Sequence, residues 1–400
     1  MYLGLLIVFG IFAIGDMMGV FSKAKLSSVF VALMTFLVLF LAGVLPKDVV
    51  KMAGLTDLAK MATPFLVFSM GSSINLTQMK KNWKVVVMSL FAMLVAIGSV
   101  LAVSPIIGLQ SALVSIPIVN GGIVATQIMT TAAMEKGLAL AAGLGTIVFA
   151  VQKFVGTIPA SRCGLTEAKI LATEYRESLS KGIDLLKADE ETESQEALAK
   201  EKAGEVKQIP FCAKHEKYYT VYVTLGIAAL VAYISSLIAK ATGISASVWC
   251  LAFGMFLNQV GLIPARILDK GRSSGLFMTA TFCSLIPALA KISLADVGNM
   301  AVDLVLIFGS VLLGCYIFLY KLPTWKFIGS RNLAIGIAMS QLLGFPATFL
   351  IVNEVATAVA QTEGEKNYIV EKLTPAFVVS GFVSVTTISV IIASIFAKIL

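Results

Sequence analysis

Ser115-Ile-Pro117-Ile-Val-Asn120-Gly121-Gly122-Ile-Val-Ala-Thr126-Gln127 and, far downstream, Ser340-Gln341-Leu-Leu-Gly344-Phe-Pro346-Ala-Thr348 decide how this chain is read. Both stretches are apolar, and both are interrupted by proline and glycine. Proline removes a backbone donor and clashes with the preceding turn, and adjacent glycines loosen the helix further. Irregular backbone at membrane depth survives only where protein buries it or where it lines a wet cavity. Gly/Pro-interrupted segments at corresponding places in two halves of a membrane protein point to a binding site.

The rest of the sequence supports a membrane setting. Of 400 residues, 58% are hydrophobic and 14% charged, where a soluble domain has about a quarter charged. Mean hydropathy is +0.91. The net charge of +8 does not describe a nucleic-acid surface. Residues 162–217 hold 10 of the 31 basic and 12 of the 23 acidic groups, and the remaining charges are scattered between apolar runs. That is the pattern of short basic loops beside a bilayer, not of a phosphate-binding face. Met1 to Phe21 lacks a basic leader region and a small-residue cleavage site, and reads as a retained helix.

A span needs roughly 20 apolar residues. Such segments fall near 2–21, 26–45, 62–77, 85–107, 111–134 and 138–160, then near 219–239, 246–264, 275–292, 298–320, 333–360 and 373–397. Six and six suggests a duplication. If the fifth segment of each half dips in and returns, each half crosses five times and the second is inverted. The basic clusters at 23–25, 80–84, 266–272 and 321–331 then share a side with the charged insert, as the positive-inside rule favours. The expected fold is an all-α polytopic membrane protein of two inverted repeats, each of about five transmembrane helices plus a broken re-entrant hairpin. The parts are 1–161, a charged cytoplasmic connector at 162–217, and 218–400, with both termini outside the cell membrane. Leu165, Leu171, Tyr175, Leu179 and Leu186 give the connector an amphipathic helical stripe.

The two hairpins close alike, as Thr130-x-x-Ala133-x-x-x-Gly137 and Thr357-x-x-Ala360-x-x-x-Gly364. That register pairs Thr126 with Asn353 and Gln127 with Glu354. Asn120, Thr126, Gln127, Thr348, Asn353 and Glu354 lie in or just after the breaks. Their oxygens suit a hard cation, and the exposed half-helix N-termini suit an anion. They equally suit backbone groups freed by the break, or glue between helices. Glu354 is the one acid in either hairpin core. Ser69, Ser72, Ser73 and Asn75, opposite Thr279, Thr281 and Ser284 in the second half, fit close packing or a cavity wall.

Asp16 and Asp303 lie at interfacial depth. Lys153 is the only buried cation of the spans and is expected to reach toward Arg162 at the interface. Five cysteines without a C-x-x-C pair and a lone His215 in the connector offer neither a metal centre nor a catalytic pair, so no enzyme is expected.

Gly344, Pro346, Ala347, Thr348, Ile351 and Asn353, with Pro375 and Phe377 opening the final span, resemble the bacterial sodium/glutamate symporter family, within the wider group of sodium-coupled carboxylate carriers. Gly121–Thr126 is a fainter echo and lacks that family's tight Gly-x-Gly-Thr turn. The resemblance implies an elevator-type symporter, dimeric, carrying Na+ with a small carboxylate or an amino acid such as glutamate. The expected substrate contacts are Asn120, Gly121, Gly122, Thr126, Pro346, Thr348, Ser72 and Ser73. The expected sodium ligands are Gln127, Thr348, Asn353 and Glu354. A proton-coupled carrier or exporter on the same scaffold, or a non-transporting membrane protein, are the alternatives.

Overall fold

Uninterrupted apolar runs can satisfy their own backbone within hydrocarbon as helices, and the chain takes that solution throughout. The computed structural model describes residues 1–21, 28–73, 76–182, 185, 210–344 and 347–400. It is 85% helical, with no strand among the described residues. Numbering the helices of ten residues or more, the first half contains α1 (Tyr2–Phe21), α2 (Ser28–Leu41), α3 (Thr56–Ser72), α4 (Trp83–Ile107), α5 (Leu109–Val119), α6 (Ile123–Glu135) and α7 (Ala139–Ser180). The second half contains α8 (Val221–Thr242), α9 (Ala246–Gln259), α10 (Ser274–Cys283), α11 (Leu294–Cys315), α12 (Arg331–Leu343), α13 (Ala347–Val359), α14 (Glu363–Thr374) and α15 (Ser389–Ile399).

Five helical stretches are long and apolar enough to cross a membrane: α4, α7, α8, Leu294–Lys321 and Glu363–Ile399. Large apolar side chains such as Leu94, Leu230, Val305 and Leu313 point outward along them. A surface of that kind is matched to lipid rather than to water. The chain is an all-helical membrane protein.

The two broken segments form helical hairpins, α5–α6 and α12–α13. Their arms are 11 and 13 residues, then 13 and 13, or about 16–20 Å each. No arm can cross ~30 Å of hydrocarbon. Both hairpins pack on α7, whose 42 residues extend about 63 Å. Near the start of α7, Gly145 fits between Val114 of α5 and Ile118. Seven residues on, Gln152 Nε2 donates to the carbonyl of Gly121, at the first tip (3.0 Å). Gly156 lies against Leu342 and Leu343, at the second tip. Further along, Glu167 accepts from Ser330 Oγ (2.6 Å) and Asn332 Nδ2 (3.0 Å), where α12 begins. Arg176 bonds Glu365 (2.6 Å) and the Val359 carbonyl (3.3 Å), where α13 ends. The hairpins therefore approach from opposite ends of one helix and meet at its middle.

A smaller apolar core joins Ala62, Phe65 and Phe68 of α3 to Val231, Leu251 and Phe277, and touches the first hairpin at Val124. At the α3–α9 crossing, a Cβ on Gly71 would overlap the Leu251 carbonyl, and one on Gly254 the Phe68 carbonyl. Small residues let the two backbones close in, as membrane helices require in the absence of a hydrophobic drive between them.

Two features differ from the expected layout. The third helix starts at Thr56 rather than near 62. α7, from the sixth expected segment, runs unbroken across the 161/162 boundary to Ser180. Its extension is amphipathic, with Arg162, Lys169 and Glu174 exposed and Tyr175 buried, its ring 5.2 Å from that of Tyr368 in α14. Leu186 lies outside the described residues, as do Lys23, Lys25 and Asn75.

Candidate functional site

The hairpin tips converge beside α15 and the irregular turns before it, with Ser389 against Gly121 and Val385 against Gly122 and Gly344. The final helical stretch contains π-helical turns at Pro375–Val379 and Val383–Ile388, a distortion common at functional sites. Val385, in the second of these, faces both breaks. A Cβ added to Gly122 would stand 2.7 Å from Val385 Cγ1, and one added to Gly344 would stand 3.4 Å from it. Gly344 also has φ 65° and ψ 174°, a region open essentially to glycine alone.

A cavity of about 700 Å³ occupies the junction. Gly121, Gly122 and Ile123 of the first tip and Leu343 and Gly344 of the second line it, with Gln152 and Lys153 from α7. Phe12, Phe149 and Phe282 supply an apolar wall, with Phe282 6.1 Å from Phe12 and 6.4 Å from Phe149 between ring centres. Ser69, Ser73 and Thr279 add hydroxyls, and Asp16, Arg266 and Asp269 form an exposed rim.

The rim lies on the connector's side of the molecule. The loop carrying Arg266 is tied to the end of the connector, where Cys212 N–H donates to the Gly261 carbonyl (2.9 Å) and Lys270 pairs with Glu216. The same loop crosses to the first half. Ile267 N–H donates to Ser72 Oγ and Leu268 N–H to Ser69 Oγ, each at 3.3 Å. Arg266 and Arg272 are the non-glycine residues with positive φ among the described residues, both at 51°. The Lys270 ammonium, by hydrogen bond and charge, holds the Glu216 carboxyl below its ordinary range.

The amides that open α6 are uncapped. Gly122 stands at its N-cap with no side-chain bond, and the first helical bond runs from Thr126 N–H to the Gly122 carbonyl (3.1 Å). The N–H groups of Ile123, Val124 and Ala125 have no partner among the described residues, and Val124 and Ala125 are buried. Several side-chain atoms nearby share this condition. Asn120 Oδ1, Gln152 Oε1, Thr348 Oγ1, Ser115 Oγ and both amide atoms of Gln341 are buried and unpartnered. Buried polar atoms are nearly always paired, so this concentration at the two breaks marks a place where something polar belongs.

Gly121, Gly122 and Ser73 of the expected substrate contacts line the cavity. Asn120 is buried, its Nδ2 bonded to the Ile116 carbonyl (2.9 Å). Thr126 is buried and donates to the Gly122 carbonyl (3.0 Å), fixing the tip rather than facing the cavity. Ser72 donates to the Ser69 carbonyl (2.7 Å) and, with the Ile267 amide on its oxygen, serves the crossing loop. Pro346 lies outside the described residues. None of the expected sodium ligands lines the cavity. Gln127 Nε2 donates to the Ala59 carbonyl (2.9 Å) of α3, while Oε1, the atom a cation would use, is buried and unpartnered. Thr348 packs against Gly381 beside the second tip. Asn353 bonds the Phe349 carbonyl (2.8 Å), and Glu354 is exposed on the outer face of α13.

The two hairpins do not share the register of the closing motif: the first bonds past each break, from Thr126 N–H to the Gly122 carbonyl (3.1 Å) and from Thr348 N–H to the Gly344 carbonyl (3.2 Å), are offset by 222, where the motif implies 227. Nothing in the sequence marks Gln341 or Val385 as contacts, whereas Gln152 is marked, without a settled role, by standing beside the one lysine of segment 138–160. Lys153, expected to reach toward Arg162, lines the cavity.

No protein-family model matches the chain, and no curated protein matches it significantly.

Proposed function

We propose that the protein is a secondary active transporter of a small organic anion, an amino acid or another carboxylate, coupled to sodium and built from two inverted repeats. One observation carries the reading: two half-membrane hairpins, based at opposite ends of α7, bring their tips to one cavity. Helices broken at the midplane supply free amides to anions and free carbonyls to cations. They also provide two thin barriers, one toward each face, that can open in turn.

On this reading the connector and the Arg266 loop face the cytoplasm, and the cavity is open to that side. Access alternates as the hairpins move with their cargo past the remaining helices. Asn120 Oδ1, Gln341 Oε1 and Thr348 Oγ1, buried oxygens lacking partners, suit sodium, a hard cation that seeks oxygen ligands. Of the four ligands expected from sequence, Thr348 keeps this role best and Glu354 least. The resemblance to sodium/glutamate symporters points the same way and adds the dimer.

The test is uptake of radiolabelled amino and carboxylic acids into proteoliposomes, with sodium, proton or no gradient imposed. Uptake of an anionic solute that a sodium gradient accelerates at least tenfold is the expected result. Acceleration by a proton gradient alone would move the protein to proton coupling. No gradient-driven uptake of any anion would contradict the transport reading.

A further inference from the structure

We infer that Lys153 is the counter-ion of the cavity: it pairs with the carboxylate of the bound anion at the uncapped N-terminus of α6. This rests on reading the cavity as the substrate site, and adds a residue that the two tips alone do not provide.

Lys153 is a half-buried residue of α7 at the junction of both tips. No carboxylate pairs with its ammonium, and no acceptor bonds it, among the described residues. The charged groups sharing its cavity are Asp16 from α1 and Arg266 and Asp269 from the crossing loop, all on the exposed rim. Water screens those charges, whereas an ammonium deeper in the cavity is screened less. A partly desolvated charge without a partner is costly, and an anion entering from the rim removes that cost.

The position is also built to orient an anion. Gln152, the preceding residue, is 1% exposed and lines the same cavity. Its Nε2 fixes the Gly121 carbonyl at 3.0 Å, leaving Oε1 buried and unpartnered. Just beyond Gly121 are the unpartnered amides of Ile123, Val124 and Ala125. A carboxylate there accepts from amides that have no other acceptor and gains the positive end of the helix dipole. Lys153 supplies the full charge, the amides supply direction, and Gln152 Oε1 can accept from a donor elsewhere on the same ligand. A passive lysine would need none of these neighbours.

The experiment uses the full chain in detergent, with glutamate, lactate and citrate as probes and their amides, esters or other uncharged analogues as controls. Binding is read by thermal shift and calorimetry. At least one carboxylate stabilises the native protein and its uncharged analogue does not. Lys153→Met lowers that affinity about 100-fold, equivalent to about 2.7 kcal/mol, while Lys153→Arg stays within tenfold. If Lys153→Met does not fold, the native protein decides: the carboxylate, and not the analogue, protects Lys153 from acylation by an amine-reactive reagent, read by mass spectrometry. Affinity of Lys153→Met within threefold of native, absence of that protection, or no binding of any carboxylate overturns the inference. Lys153-dependent binding without uptake into proteoliposomes would remove the transport reading and leave the counter-ion standing. Uptake with an indifferent Lys153→Met would do the reverse.

Discussion

The two hairpins are alike in length and unlike in how they are held. The first is tied at its tip, where Gln152 grips the Gly121 carbonyl, and its base passes into α7 through a turn of three residues. The second is tied at its base, with Glu167 holding Ser330 and Asn332 and Arg176 holding Glu365 and the Val359 carbonyl. Its tip meets α7 only through apolar packing of Leu342 and Leu343 on Gly156 among the described residues. A hairpin bonded at its tip is held more tightly there than one bonded at its base. On the transport reading, α12–α13 is the barrier freer to open first and α5–α6 the one more firmly held.

Removing the base anchor gives the largest expected effect. Glu365 is 2% exposed and accepts from both Arg176 and the Gln361 amide (3.0 Å). Glu365→Ala leaves both donors unmet and costs about 2–3 kcal/mol, the loss moderated because Arg176 can turn to water. The check is the thermal unfolding midpoint in detergent. Gln152→Leu, which frees one carbonyl at the first tip, costs about 1–2 kcal/mol by the same measure. A larger loss in Gln152→Leu than in Glu365→Ala would reverse the comparison.

The glycines at the tips sharpen it. Gly344 is required by its backbone angles, and Gly344→Ala costs about 1–3 kcal/mol whatever its neighbours. Gly122 has φ −114° and ψ −157°, which any residue adopts, and is required only by the space that Val385 occupies. A Gly122→Ala, Val385→Ala double-mutant cycle therefore shows coupling of about 1 kcal/mol or more, while Gly344→Ala with Val385→Ala is additive within about 0.5 kcal/mol. Equal coupling in both cycles would show that space governs both tips.

The smallest effect lies outside both hairpins. Lys270 lowers the folded-state pKa of Glu216, so the pair stabilises the fold at neutral pH and the contribution is lost as pH falls through the ordinary carboxylate range. Both groups are exposed enough for salt to screen them. Lys270→Met and native protein should differ slightly in unfolding midpoint at neutral pH and low salt. They should coincide at low pH or in about 1 M salt, where the screening length is about 3 Å. A difference that persists under both conditions would assign Lys270 a role beyond this pair.

The hairpins were legible in the sequence because Pro117, Gly121, Gly122, Gly344 and Pro346 break apolar runs, and backbone chemistry alone makes such breaks informative. The side chains that serve the site were less legible because that depends on helical phase. Thr126 reads as a ligand by type, but its hydroxyl turns back to Gly122; Glu354 reads as a buried acid but emerges on an outer face. The place of Lys153 in the cavity wall was hidden for a different reason. Its length allows it to reach an interface, and sequence carries no trace of the cavity that α1, α10 and the two tips enclose beside it.

Alternating access at this cavity requires the hairpins to enter from opposite faces. The direct measurement is sided labelling of single cysteines at Lys136, where the first hairpin leaves, and Lys366, just past the second, using an impermeant thiol reagent on sealed vesicles of known orientation and a cysteine-free background. Modification of the two positions from opposite faces, with Lys366→Cys on the connector's side, is the result predicted. Modification of both from the same face would contradict the opposed hairpins, and with them the alternating-access site.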